Sequence, residues 1–184
     1  MTIERSLIEH CAPTLASLKV GSLFTLLAPD REALRSDVAA LNACMEEKGL
    51  HLDVVKSMNS RCLCYLHRAS QLTALLENEK NAAFLKEYGY EDLAPAAVLG
   101  KLFARIRESA DFPHEIGLFL GYPLLDVIGF IENKGKNCLC CGCFKAYSDE
   151  CAARKLFAKF GKCTEVYKRH YSIGRSIRQL TVAA

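Results

Sequence analysis

The chain has 184 residues, 51% of them apolar, with ten cysteines, no tryptophan and a formal net charge of only +3. That length suits one domain whose core needs neither disulfides nor a structural metal. No charge-free apolar run reaches membrane-spanning length, and the opening M-T-I-E-R-S-L-I-E-H-C carries no basic-then-apolar leader, so a cytosolic chain with reduced thiols is expected.

The first twenty residues read as a short helix, a break at Cys11-Ala12-Pro13 and a second short helix. Proline suits a first helical turn, which would put Cys11 near a helix N-terminus, where the dipole favours a thiolate. Residues 21–28 fit a buried strand. Asp30 then caps a helix with Leu34, Val38, Leu41 and Met45 on its inner face, and Gly49 ends it. Residues 50–57 and 61–68 form a β-hairpin, in which Cys62, Cys64 and Leu66 share one face and Leu63, Tyr65 and His67 the other.

Helices are expected over 70–88, broken near Asn78, and over 93–109, with Leu99, Leu102 and Ile106 inward. Pro113 and Pro123 can each open a further helix. Residues 138–147 make the best remaining strand, Asp149 caps a long basic helix, and a last short helix covers 174–180. The order is that of a single α+β domain spanning 1–184, a small mixed sheet of about four strands packed by helices.

Charge is unevenly placed. From Lys134 onward there are eleven Lys and Arg against three Asp and Glu. A basic final third attracts an anionic small ligand or an acidic protein, and the plainer reading is a solvated helix face.

The densest stretch runs F-P-H-E-I-G-L-F-L-G-Y-P-L-L-D-V-I-G-F-I-E-N-K-G-K-N and on to C-G-C-F-K-A-Y at Tyr147. With H-C-A-P-T-L-A-S-L-K near the start and L-K-E-Y-G-Y in the middle, it resembles an uncharacterised family of clostridial and related anaerobic bacteria, domain of unknown function 3793. Cys11, Lys19, His114, Glu115, Gly121, Tyr122, Pro123, Asp126, Cys141, Gly142 and Lys145 match that family's pattern. Gly142-Cys143-Phe144-Lys145 stands where the family usually reads Gly-Tyr-Trp-Lys, so Cys143 departs from the pattern, as do Cys138 and Cys140. The resemblance implies a setting in anaerobic iron, sulfur or redox metabolism, near flavodoxins and ferrous-iron transporters, and brings no established activity.

Three sets of residues carry candidate chemistry. Cys138, Cys140, Cys141 and Cys143 hold two interleaved C-x-x-C pairs, the spacing that suits zinc or an Fe–S cluster, although a strand would send them to opposite faces. Inert core thiols are the plainer reading. Cys11 as nucleophile, His114 as base and Glu115 or Asp126 as orienting acid would make a cysteine-dependent enzyme. Tyr122, Asp126, Lys145 and Lys19 would bind a ligand. A flavin or haem propionates could engage the basic segment, but no glycine-rich phosphate loop supports a nucleotide.

Two other motifs fail on inspection. His114-Glu115 is no metalloprotease start, because Leu118 stands where the second histidine belongs. Residues 118–132 have helix-turn-helix length but place acids and apolar residues where phosphate-binding cations are needed, so nucleic acid is not expected. The leading expectation is an accessory protein that binds a small ligand, a metal or an acidic redox partner such as a flavodoxin near the His-Glu and Cys motifs. The alternatives are the Cys11 enzyme and a non-catalytic adaptor.

Overall fold

The computed structural model describes residues 2–109 and 112–183, so Met1 of the expected first helix lies outside them. Three antiparallel strands, β1 (Gly21–Leu27), β2 (Leu50–Met58) and β3 (Arg61–Arg68), form the sheet in the order β1-β3-β2. The hairpin turns through Asn59, whose φ of 47° is in the left-handed region that asparagine tolerates.

One face of the sheet packs against α1 (Ile3–Leu15) and α2 (Arg31–Met45). Leu50 and Leu52 of β2 point there, as do Cys62, Cys64 and Leu66 of β3. Two C-terminal helices join this layer, α8 (Glu150–Ser172) through Tyr167 and Tyr171 and α9 (Ile177–Leu180) through Ile177 and Leu180. The other face, with Tyr65 and Val55, meets α3 (Ala69–Glu77), α4 (Glu79–Glu87), α5 (Pro95–Glu108), α6 (Ile116–Phe119) and α7 (Leu124–Glu132). The fold is therefore α+β, with a helical layer on each face of the sheet. No described helix is long and apolar enough to cross a membrane.

Three local expectations need correction. The break at Cys11-Ala12-Pro13 is absent, and α1 runs through Pro13 as one helix. Proline lies in the last turn, where it forfeits a single backbone bond, while Thr2 caps the true start through the N–H of Arg5. Leu99 is only half-buried, and Val98, Leu102 and Ile106 make the fully buried face of α5. The long strand at 138–147 is instead two short strands, β4 (Cys140–Cys141) and β5 (Lys145–Ala146), which pair with each other and not with the main sheet.

Arg68 closes β3 and is wholly buried, and among the described residues no carboxylate lies within ion-pairing distance of it. Its guanidinium donates to Thr14 O and Leu15 O at 2.6 Å each and to Val182 O at 2.8 Å. Two of those carbonyls belong to the last turn of α1, beyond the reach of the helix's own i+4 donors, although the N–H of Ser17 also reaches Thr14 O at 3.2 Å, and the cation complements the negative end of the helix dipole. The N–H of Val182 completes the arrangement by donating to Leu15 O.

Candidate functional site

The sheet positions the motif through one bond: the buried Tyr65 hydroxyl of β3 donates to Phe119 O of α6 at 2.8 Å. Gly21 makes this possible, since a Cβ there would lie 2.4 Å from that hydroxyl. The chain leaves α6 through Gly121 at φ 73°, a left-handed turn that glycine adopts without strain. The N–H of Tyr122 returns to Gly117 O at 2.9 Å, and Pro123 then starts α7.

Asp126, in the first turn of α7, is 3% exposed. Its Oδ1 accepts from the N–H of Tyr147 at 2.8 Å, the N–H of Ser148 at 2.9 Å and the Ser148 hydroxyl at 2.8 Å. One carboxylate thereby fixes the chain that follows β5. The two elements approach closely because Gly129 has no Cβ, which would lie 2.5 Å from Cβ of Tyr147. Gly142 does the same for the β4–β5 turn, where a Cβ would meet the Phe157 ring of α8 at 2.3 Å.

Between α6, α7 and this hairpin lies a cavity of about 360 Å³. Phe112, Ile116, Leu120, Val127, Phe130 and Phe144 supply apolar walls, and His114, Tyr122, Asp126, Cys141 and Lys145 supply the polar lining. Lys145 Nζ donates to Gly135 O at 2.6 Å and lies 6.0 Å from the Phe130 ring centre, leaving two of its three N–H donors unused among the described residues. His114 meets the same ring edge-on at 5.2 Å. The Tyr122 hydroxyl donates to Cys143 O at 3.1 Å, and its ring packs on Phe144 at 4.7 Å. Burial, with a smaller effect from Cys143, pushes the Tyr122 phenol up to about 12.

The structure thus gathers His114, Tyr122, Asp126, Cys141 and Lys145 at one cavity. Lys19 touches it only through Tyr122, with Nζ 5.3 Å from that ring centre, and burial lowers its ammonium pKa. Glu115 is turned away from His114. It is 1% exposed, lies 2.7 Å from Arg105 Nε in an ion pair off the line of a hydrogen bond, and accepts from Tyr90 Oη at 3.1 Å.

Cys11 is not at a helix N-terminus. It lies well inside α1 and is fully buried in the core on the α1 face of the sheet, where burial pushes the thiol pKa up, away from a reactive thiolate. It does not line the His114 cavity. The Cys11, His114, Glu115 set is therefore not assembled as a triad.

The four hairpin cysteines are also dispersed. Cys140 is buried with Phe144, Ala146 and Ala153, Cys141 and Cys143 are exposed, and Cys138 is half-buried. Pleating sends Cys140 and Cys141 to opposite sides, and the turn closes tightly with Gly142 N donating to Phe144 O. Among the described residues no group of three or more His, Cys, Asp or Glu is placed to hold a metal ion. Sequence reasoning missed the walls Val127 and Phe130, although with Asp126 they follow the i, i+1, i+4 spacing of one helical face.

A family model described as a protein of unknown function (DUF3793) matches residues 7–181. The chain belongs to this family. Neither a curated protein nor a solved structure matches it. Every residue lining the cavity comes from the dense stretch between Phe112 and Tyr147 in which the sequence resembles the family.

Proposed function

We propose that this DUF3793 chain binds a compact, largely apolar anion in the cavity between α6, α7 and the β4–β5 hairpin. The observation that carries the reading is the composition of that cavity: aromatic and aliphatic walls with a lysine and a histidine placed on one aromatic ring, Phe130. Ligand sites are commonly concave, mostly apolar and furnished with a few convergent polar groups, and about 360 Å³ is at the small end of their range. A ring-sized molecule suits that space better than haem or a whole dinucleotide. Asp126 does not repel an anion strongly, because two backbone N–H groups and a hydroxyl already compensate its charge. In the anaerobic iron, sulfur or redox setting that the family suggests, the protein acts as an accessory that holds such a molecule.

The aromatic sulfonate 8-anilinonaphthalene-1-sulfonate, an apolar anion, tests this reading. Saturable fluorescence enhancement at one site per chain is expected, weakened in Lys145→Met and in Phe130→Ala while both variants keep a cooperative thermal transition. Enhancement that fails to saturate, or that both variants leave unchanged, overturns the reading.

A second reading rests on α8, where Lys155, Lys159, Lys162 and Arg169 are all exposed at helical spacing. That stripe fits an acidic protein such as a flavodoxin-like carrier. Binding to such a partner should weaken steeply with added salt, and binding indifferent to salt counts against it.

A further inference from the structure

A second cavity, of about 230 Å³, opens on the other helical layer, between α2 and the β2–β3 hairpin. It shares no residue with the family motif. Arg31, Leu34 and Arg35 of α2 line one side, and Val54, Ser57 and Cys62 line the other.

A β-bulge builds its floor. Val54 pairs with Cys64, but Lys56 pairs with Leu63 and Ser57 with Cys62, so Val55 is an extra residue in β2. Before the bulge, Leu50, Leu52 and Val54 face α2. After it the alternation is reversed. Ser57 turns toward α2 and shares a 3.4 Å hydrogen bond with the Cys62 thiol. Lys56 is sent to the opposite face, where Nζ donates to Ile106 O and Arg107 O at 3.3 Å each, at the end of α5. An unbulged strand would exchange the two, placing the lysine in the cavity and the hydroxyl outside it.

Charge on α2 is sorted to match. Asp30 and Asp37 line a different hollow, with Thr2 and Ile3, while Arg31 and Arg35 stand one turn apart over this one. Among the described residues neither arginine has a carboxylate within ion-pairing distance. Arg31 is steadied by donating to Asn59 O at 3.5 Å in the hairpin turn. Two guanidinium groups without a counter-ion therefore overhang a hydroxyl donor and an apolar floor.

We infer that this cavity binds the oxyanion of a phosphate or phosphomonoester, with Arg31 and Arg35 gripping its oxygens and Ser57 donating from below. A guanidinium presents paired N–H donors in a planar fork that matches phosphate oxygens, and two forks one turn apart suit a multiply charged, tetrahedral anion. A phospholipid headgroup offers the same chemistry, and Leu27 and Met58 are exposed at this end of the sheet.

The test has two arms. Inorganic phosphate is titrated into ¹⁵N-labelled full-length protein, and co-sedimentation is measured with phosphatidylcholine vesicles containing phosphatidate. Saturable amide shifts are expected at Arg31, Arg35, Ser57 and Cys62. The dissociation constant should rise roughly tenfold or more in R31Q/R35Q, as the loss of charge-assisted hydrogen bonds requires, and by less in Ser57→Ala. Arginine-dependent binding of phosphate in solution assigns a soluble ligand, and arginine-dependent binding to vesicles alone assigns a lipid headgroup. Shifts that do not saturate, that spread over the α8 lysines, or that persist in R31Q/R35Q, with vesicle binding equally unaffected, overturn the assignment. The variant residues are exposed, so an unchanged spectrum elsewhere verifies that the fold is kept.

Discussion

Two buried charges hold the two halves of this molecule in opposite ways. Arg68 donates to four backbone carbonyls, those of Thr14, Leu15, Lys48 and Val182, and Asp126 accepts from two backbone N–H groups and a hydroxyl beside the motif cavity. Each solves the same problem, that polar backbone outside regular structure must find a partner once it is buried. The difference is in what surrounds them. Arg68 is enclosed by core, whereas Asp126 lines open space. The first arrangement ties packed core together, and the second holds the motif cavity open.

The cysteines divide along the same line, and alkylation should expose the largest contrast. Cys141, Cys143 and Cys151 are exposed, while Cys11 and Cys64 are sealed in the sheet core. Mass spectrometry after iodoacetamide treatment should find these three exposed thiols modified first. The core thiols should react slower by on the order of 10³-fold or more, at the rate set by unfolding. Fast modification of Cys11 in the folded protein would break the comparison.

Arg68→Met comes next. It removes the guanidinium donors from Thr14 O, Leu15 O and Val182 O, and a loss of about 3 kcal/mol is expected from urea unfolding, with dye binding at the motif cavity retained by the molecules that remain folded. Asp126→Ala should cost about 1–3 kcal/mol and also abolish dye binding, because the hairpin wall is released. If Asp126→Ala destabilises the protein without touching the cavity, the two charges play the same role after all.

The smallest effect is one of pH. Burial raises the Cys64 thiol from 9.0 to about 12, and Tyr122 shifts from 10.0 to about 12 with the same sign. The folded state keeps protons that the unfolded chain releases. These groups therefore contribute fully below pH 9, and their contribution declines as pH rises toward about 12. Urea midpoints should fall across that window, and Cys64→Ala should flatten the slope.

Much of the sheet was legible because its signals are local. Alternation placed Cys62, Cys64 and Leu66 on one face, the short break at residues 58–60 closed the hairpin, and Asn78 marked the break between α3 and α4, where it caps the second. What stayed hidden depends on partners far along the chain. Nothing near Arg68 announces that it will be buried, since its acceptors lie 20 to 114 residues away. Glu115 was read beside its neighbour His114 but pairs with Arg105 and Tyr90. The candidate site was legible as a stretch, not as a mechanism: His114, Tyr122, Asp126, Cys141 and Lys145 do converge, while Cys11 does not join them. Pro13 misled for a simpler reason, because a proline in a last helical turn and one in a first turn look alike from the residues alone.

The position of Arg68 also bears on synthesis of the protein at the ribosome. Thr14 and Leu15 are translated long before the guanidinium they will accept from, and Val182 is translated 114 residues after it. A nascent chain lacking that last segment leaves the cation facing a gap that water must fill. The sheet is then secured only once Val182 has emerged, and a ribosome stalled before that point carries a chain that proteases can still open.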